Sequence, residues 1–554
     1  MLGTLNGSTI LRLRVFDRGG SDLDPLALRG RLENVLSDVS LEPRLPPSAT
    51  LFIRKLDDPL PGSIPLDSPH ARAPHAWRHA FQKRFDQLVS SAARPAHGYV
   101  ADSAESVVFY DYAELLACLT ADWCSGSALT RWWWQALIKH GSLSRLIRQL
   151  WLEKIEYVPA ALEHVVRKGV LVEFVSQLSD VEANEIVQRV LSTFGVTRMT
   201  RIKAADFFSL DKAREAPHVV QARTVMPWRA VAPESDTPLL RPVQQFFVGI
   251  VLMVHRAPTR VRTLSFAREV EHWIQSVVSD VSAVSDVSVP PEQSSIIEEH
   301  IEIDEFFTAP EPQAPIRINP IPSPPVIPQA PPPPRGSVSS AVKIANAVFN
   351  YEEPPEVLAA TAVTEQIIEE TPLPEPIEVT TTAPETLDPA TIETDLGGLF
   401  YLINLAIFLE IYSDFTSPVE QFHDDLSIWD FVTIVGREIN QDRDLDDPVW
   451  TGLQDLQDLH VNPENLVNPV NKPSWLTDLL PHIKARLILA LGIESEDSLA
   501  QILLHHHAKV TITPTHLDVF FPLADHPIEI RLSGLDRNPG WVPAAGRFIA
   551  FHYD

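Results

Sequence analysis

The sequence predicts a multidomain protein. A small α/β unit and a mainly α-helical N-terminal half are followed by a disordered proline- and acid-rich linker, then an α+β C-terminal domain with an antiparallel sheet. Three observations predict this: helical apolar spacing with capping signals over 74–280, proline and acid concentrated over 284–395, and period-two alternation near the C-terminus. A chain of 554 residues, 45% of them hydrophobic, exceeds what one core accommodates.

The first 60 residues read as a βαβ-like unit. Leu11, Leu13 and Val15 alternate with Arg12 and Arg14, the signature of a half-buried strand over 8–17. Residues 24–39 carry Leu26, Leu28, Leu32 and Leu36 near helical spacing, and 48–56 reads as a second strand. In the helical region 74–280, Ser179 and Glu182 form a capping-box pair ahead of the stripe Ile186, Val187, Val190 and Leu191, with Gly195 as the stop. Asp102 and Glu105 predict a second helix start, with Val107, Val108, Leu115 and Leu116 on that helix.

The linker comes next. Residues 290–389 hold 21 of the 49 prolines, and 291–395 hold 19 acidic against 3 basic residues. Missing amide donors and like-charge repulsion leave no core to offset ordering entropy. Treated as a flexible coil, such a segment spans roughly 60 Å root-mean-square. The island 339–353 is a candidate docking helix or a fluctuating apolar patch.

The C-terminal domain is expected over 396–554. Residues 396–412, 426–439, 475–492 and 497–506 read as helices, and 509–523, 527–535 and 546–553 as three antiparallel strands. The apolar stretches 242–254 and 396–409 are shorter than the ~18–20 residues a spanning helix needs, so no membrane insertion is predicted.

Charge and motif content narrow the function classes. A net charge of −28 opposes nucleic acid and anionic lipid and favours a protein partner with a basic face. Cys118 and Cys124 read as buried thiols in a reducing compartment, hence a cytoplasmic protein with no secretory signal evident. Phosphate-loop, dinucleotide, nucleophile-elbow and HExxH patterns are missing. Gly19 and Gly20 fall in a polar turn with no phosphate-binding lysine. No enzyme, cofactor, catalytic set or metal site is therefore predicted. His505, His506 and His507, with His516 and Asp518 two apart on a strand, are a candidate metal group. They motivate an alternative reading, a metal-dependent hydrolase in the C-terminal domain. The acidic loop of His423, Asp424 and Asp425 is a looser cluster.

The candidate partner contacts are Trp132, Trp133, Trp134 and Trp541. Consecutive helical residues point about 100° apart, so three adjacent indoles cannot share one core face. At least one is expected near a second surface, on a neighbouring helix or a partner protein. Trp541, in the turn-rich loop 534–547, is expected to lid the sheet or to touch a partner.

Several segments resemble components of phage-tail-like contractile injection systems. The opening stretch 10–56, with Leu51, Phe52, Ile53, Arg54 and Leu56 in its last element, resembles the N-terminal region of their tape-measure proteins. The helical stretch 130–191 is similar to their tryptophan-bearing modules, and 396–415 to their glycine-led apolar helix. The C-terminal blocks look like proteins encoded beside injection-particle genes. The resemblance covers about half the chain and rests on hydrophobic patterns. Where such rulers are expected to be dominated by long helices, this chain carries a sheet and an acidic middle. The resemblance implies a non-catalytic assembly component of such a particle, tape-measure-like or an accessory tether, with basic tube or baseplate subunits as partners and incorporation into the particle. A general protein–protein adaptor is the other non-catalytic alternative.

Overall fold

The computed structural model describes residues 25–37, 45–61, 64, 72–135, 137, 138, 142–196, 199, 226–229, 231, 240–285, 389–409, 412, 413, 417, 418, 426–456 and 474–553. The expected strand 8–17, Gly19 and Gly20, most of the linker, its 339–353 island and the cluster His423, Asp424 and Asp425 lie outside these residues. The described chain is α+β: helices dominate the N-terminal half, and a sheet closes the C-terminal half. Among the described residues no helix is long and apolar enough to cross a membrane.

The first described elements of the N-terminal half are α1 (Pro25–Ser37) and β1 (Thr50–Ile53). β1 pairs antiparallel with β2 (Ser106–Phe109), from Thr50 against Phe109 to Ile53 against Ser106. Among the described residues the partner of β1 is thus a strand that follows α2 (His75–Ser90), while the first strand of the expected βαβ-like unit lies outside them. β2 corrects the helix expected from Asp102. Ser106–Phe109 forms a strand, as its two valines and phenylalanine favour, and α3 (Tyr112–Cys124) starts later, capped by Asp111. Asp102 pairs instead with Arg131 at 2.7 Å, and Glu105 with Arg84 at 3.0 Å.

The remaining helices among the described residues of this half are α4 (Trp132–Gln135), α5 (Leu143–Glu153), α6 (Val158–Arg167), α7 (Leu171–Ser176), α8 (Asp180–Thr193), α9 (Pro242–Arg256), α10 (Pro258–Val261) and α11 (Leu264–Ser285). Ser179 and Glu182 close the predicted capping box of α8, satisfying two backbone donors that the helix start leaves free. α9 lies against both α6 and α8. A β-carbon on Gly249 of α9 would fall 2.1 Å from the Trp228 indole, so glycine lets that ring lie on the helix. A buried carboxylate ties α6 to α9: Glu163 accepts from Arg256 at 2.7 and 2.9 Å and from Arg167 at 3.0 Å. Burial alone would raise its pKa, but the Arg256 and Arg167 hydrogen bonds and nearby positive charge outweigh burial and hold it at about 2.

The C-terminal half begins earlier than expected. Ala390–Thr394, assigned above to the linker, is β3, the edge strand of a five-stranded sheet of order β3-β6-β7-β9-β8. β6 is Ala508–Ile512, β7 His516–Phe521, β8 Gly540–Val542 and β9 Arg547–Tyr553; β4 (Tyr412–Ser413) and β5 (Ser417–Pro418) form a separate ribbon. The sheet is mixed, correcting the antiparallel expectation, because β7 and β9 run parallel, with Leu517 against Ile549. The crossover between them includes α17 (Ile528–Ser533), where a strand was expected. In 527–535 the alternating Ile528, Ile530 and Leu532 also suit a short helix. Ile530 is buried while Ile528 and Leu532 are exposed, and Gly534 at φ 76° ends the helix.

Among the described residues the helices of this half are α12 (Tyr401–Phe408), α13 (Ile428–Asn440), α14 (Pro448–Leu456), α15 (Ser474–Leu491) and α16 (Leu499–Leu503), besides α17. They cover the sheet face formed by Val510, Leu517, Val519, Phe521, Ile549 and Phe551. Two glycines bring α12 close to the sheet. Gly397 N donates to His506 O at 2.8 Å, and Gly398 N to Leu504 O at 3.1 Å. A β-carbon on Gly398 would lie 1.9 Å from the Leu503 carbonyl oxygen, a backbone atom that cannot swing aside. We expect Gly398→Ala to destabilise this half by about 3 kcal/mol, read as a lowered urea midpoint. An unchanged midpoint would show that the backbone gives way there.

Candidate interaction site between the two halves

The opposite face of the sheet meets the N-terminal half. Its residues lie hundreds of positions from their partners. Thr515, in the β6–β7 turn, donates its hydroxyl to Asp111 Oδ2 at 2.8 Å. Trp541 of β8 donates Nε1 to the Thr193 carbonyl at the end of α8, at 3.3 Å. Arg262 donates to the carbonyls of Phe194 at 3.1 Å and Pro543 at 3.0 Å, so one guanidinium joins both halves.

Aromatic rings fill the space between these bonds. Phe194 meets Trp541 edge to face at 5.0 Å between centroids. Tyr157 stacks on Phe548 at 5.5 Å and lies 5.9 Å from the His516 ring. Such pairs add to the area they bury. Gly546, at φ 61°, suits a sharp turn that brings the chain close to Phe194.

Asp111 has two duties here. Its Oδ1 caps α3 by accepting from Glu114 N at 2.8 Å, while Oδ2 takes the Thr515 hydroxyl. With that hydrogen committed, the Thr515 oxygen accepts from His516 Nδ1 at 2.9 Å. Burial raises the Asp111 pKa to about 6, reinforced by the Glu114 charge and opposed by the Glu114 amide, Thr515 and Arg94. Burial likewise lowers His255 to about 4 and Arg547 to about 10.

The sign for Asp111 follows from linkage. Its folded pKa lies above the ordinary 3.8, so its contribution to stability is full below 3.8 and lost as pH rises through about 6. Asparagine keeps the cap and cannot ionise. We expect Asp111→Asn to gain on the wild type between pH ~4 and ~7 by up to about 3 kcal/mol. Paired urea titrations at the two pH values check this; an unchanged difference would mean that Asp111 does not titrate in the folded protein.

The predicted tryptophans divide between core and seam. Trp132, Trp133 and Trp134 are 3%, 1% and 0% exposed, which puts them in the core and leaves them no partner-facing surface. α4 is a single turn, and its rings pack edge to face on one another within one interior, Trp132 on Trp133 at 5.6 Å and Trp133 on Trp134 at 6.3 Å. Trp134 stacks on Phe109 at 5.2 Å and donates to Asp122 at 2.6 Å. Trp541 lies on Phe548 of its own sheet at 5.0 Å and meets Phe194 across the seam, so the contacts it makes here lie within this chain.

The histidines of the candidate metal group go to separate partners. His505 meets Asn440, His506 the Ile502 carbonyl, and His507 Asp395. His516 lies in the seam, and Asp518 bonds His552 at 2.8 Å. Among the described residues no three or more His, Cys, Asp or Glu converge to hold a metal. Cys118 is buried and Cys124 half-buried, both as free thiols; burial pushes Cys118 up to about 12.

Sequence reasoning did not find Asp111, Tyr157, Phe194, Arg262 or Thr515. The pattern Asp111 to Glu114 is a visible helix-start signal, yet nothing local marks Thr515 as its second partner. The fold and its seam thus define an α+β protein of two docked halves joined by a long acidic segment. No protein-family model, curated protein or solved structure matches the chain.

Proposed function

We propose that this chain is a non-catalytic structural or assembly component of a contractile injection particle, tape-measure-like or an accessory tether. One observation supports the reading most: α11 and β3, which flank residues 286–388, belong to halves that dock on each other. The acidic, proline-rich segment between them therefore starts and returns on the same body. Its charge suits a basic tube interior or baseplate face. The resemblance of 10–56, 130–191 and 396–415 to injection-system components supplies the setting.

Deleting residues 300–388 is expected to leave the seam intact while changing particle length or yield. Particles of wild-type length at wild-type yield would end the particle role and leave the general adaptor.

A further inference from the structure

We infer that the seam is also an interface between copies of this chain, with the N-terminal half of one copy docking on the sheet of the next. The two complementary surfaces are those described above: Tyr157, Phe194, Arg262 and Asp111 on one side, Thr515, Trp541 and Phe548 on the other. None of these contacts depends on the two surfaces belonging to the same molecule.

Residues 286–388 could reach up to roughly 340 Å at about 3.3 Å per residue. A connector of this length holds its ends at a lower effective concentration than the millimolar level of short linkers. Unlike surfaces that pair between copies form a heterologous contact, which propagates head to tail into a ring or filament. A single chain satisfies the contact within itself, whereas a crowded array of copies satisfies it between neighbours. Such exchange builds on the assembly role proposed above and names a second copy as the partner.

The test uses two full-length variants. Tyr157→Asp places a carboxylate on the N-terminal surface, and Trp541→Asp places one on the sheet surface. Each variant spoils its own seam, and a seam carrying both acids is repelled further. Each also retains the surface that the other lacks. Alone, each is expected to sediment at the monomer mass of 61.8 kDa. The equimolar mixture is expected to give a species of twice that mass. A mixture that stays at monomer mass, with both variants keeping wild-type helix content by circular dichroism, would overturn the inference. If either variant loses helix content, Arg262→Glu with Thr515→Glu tests the same two surfaces with the same two outcomes. Both readings come from purified protein, so they stand apart from the effect of the 300–388 deletion on particles.

Discussion

Trp541→Ala should part the two halves while leaving each folded. The indole donates across the seam to Thr193 and packs edge to face on Phe194. It also rests on Phe548, whose ring stacks on Tyr157. Removing it therefore strips one hydrogen bond and one aromatic contact from the seam, together with the ring that backs Phe548. Losses of about 3 kcal/mol are usual for such anchors, roughly a 100-fold shift in docking. The expected signature is a larger radius of gyration by small-angle scattering, with faster amide exchange confined to 193–196 and 513–516. A wild-type radius would mean that Arg262 and the Asp111–Thr515 bond hold the seam without the indole.

Glu114→Ala carries the largest expected stability loss within one half. Glu114 grips Arg94 with both oxygens, at 2.9 and 3.0 Å, and the side chains are 2% and 9% exposed. Arg94 also lies over the Tyr110 ring at 4.0 Å. Removing the carboxylate leaves a buried guanidinium without its counter-charge, which costs about 3–5 kcal/mol. The double variant Glu114→Met with Arg94→Met removes both charges and should recover most of that loss, since buried pairs are often replaceable by apolar groups. Thermal melts of the single and double variants check this. A double variant as unstable as Glu114→Ala would show that lost packing, rather than the stranded charge, sets the penalty.

What could be read from the residues follows the range of the interactions. Capping needs only neighbours, so Ser179 and Glu182 marked the start of α8 and Gly195 its end. Two acidic pairs competed for the start of α3, Asp102 with Glu105 and Asp111 with Glu114. The strand propensity of Val107, Val108 and Phe109 decided for the later pair. Alternation located β9 but ran β6 and β7 together as one strand over 509–523, which the structure folds back at Thr513–Thr515 into an antiparallel pair. The parallel pairing of β7 with β9 depends on a crossover that no period records. Ile528 to Leu532 fit both periods, and burial of Ile530 alone separated them. The seam was beyond local reading: Asp111 and Thr515 stand 404 positions apart, and Thr193 and Trp541 348. Of the candidate tryptophans, only the one in a turn-rich loop reached that surface.

Docking the earliest folded segments against the last strand sets an order of events at the ribosome. Arg262 emerges 281 residues before Pro543, its partner across the seam. At 5–20 residues per second, the newborn N-terminal portion waits roughly 15–55 s with Tyr157 and Phe194 uncovered. During that interval its aromatic face is a natural client for a holding chaperone, and neighbouring nascent chains on one message are each other's nearest competitors for it.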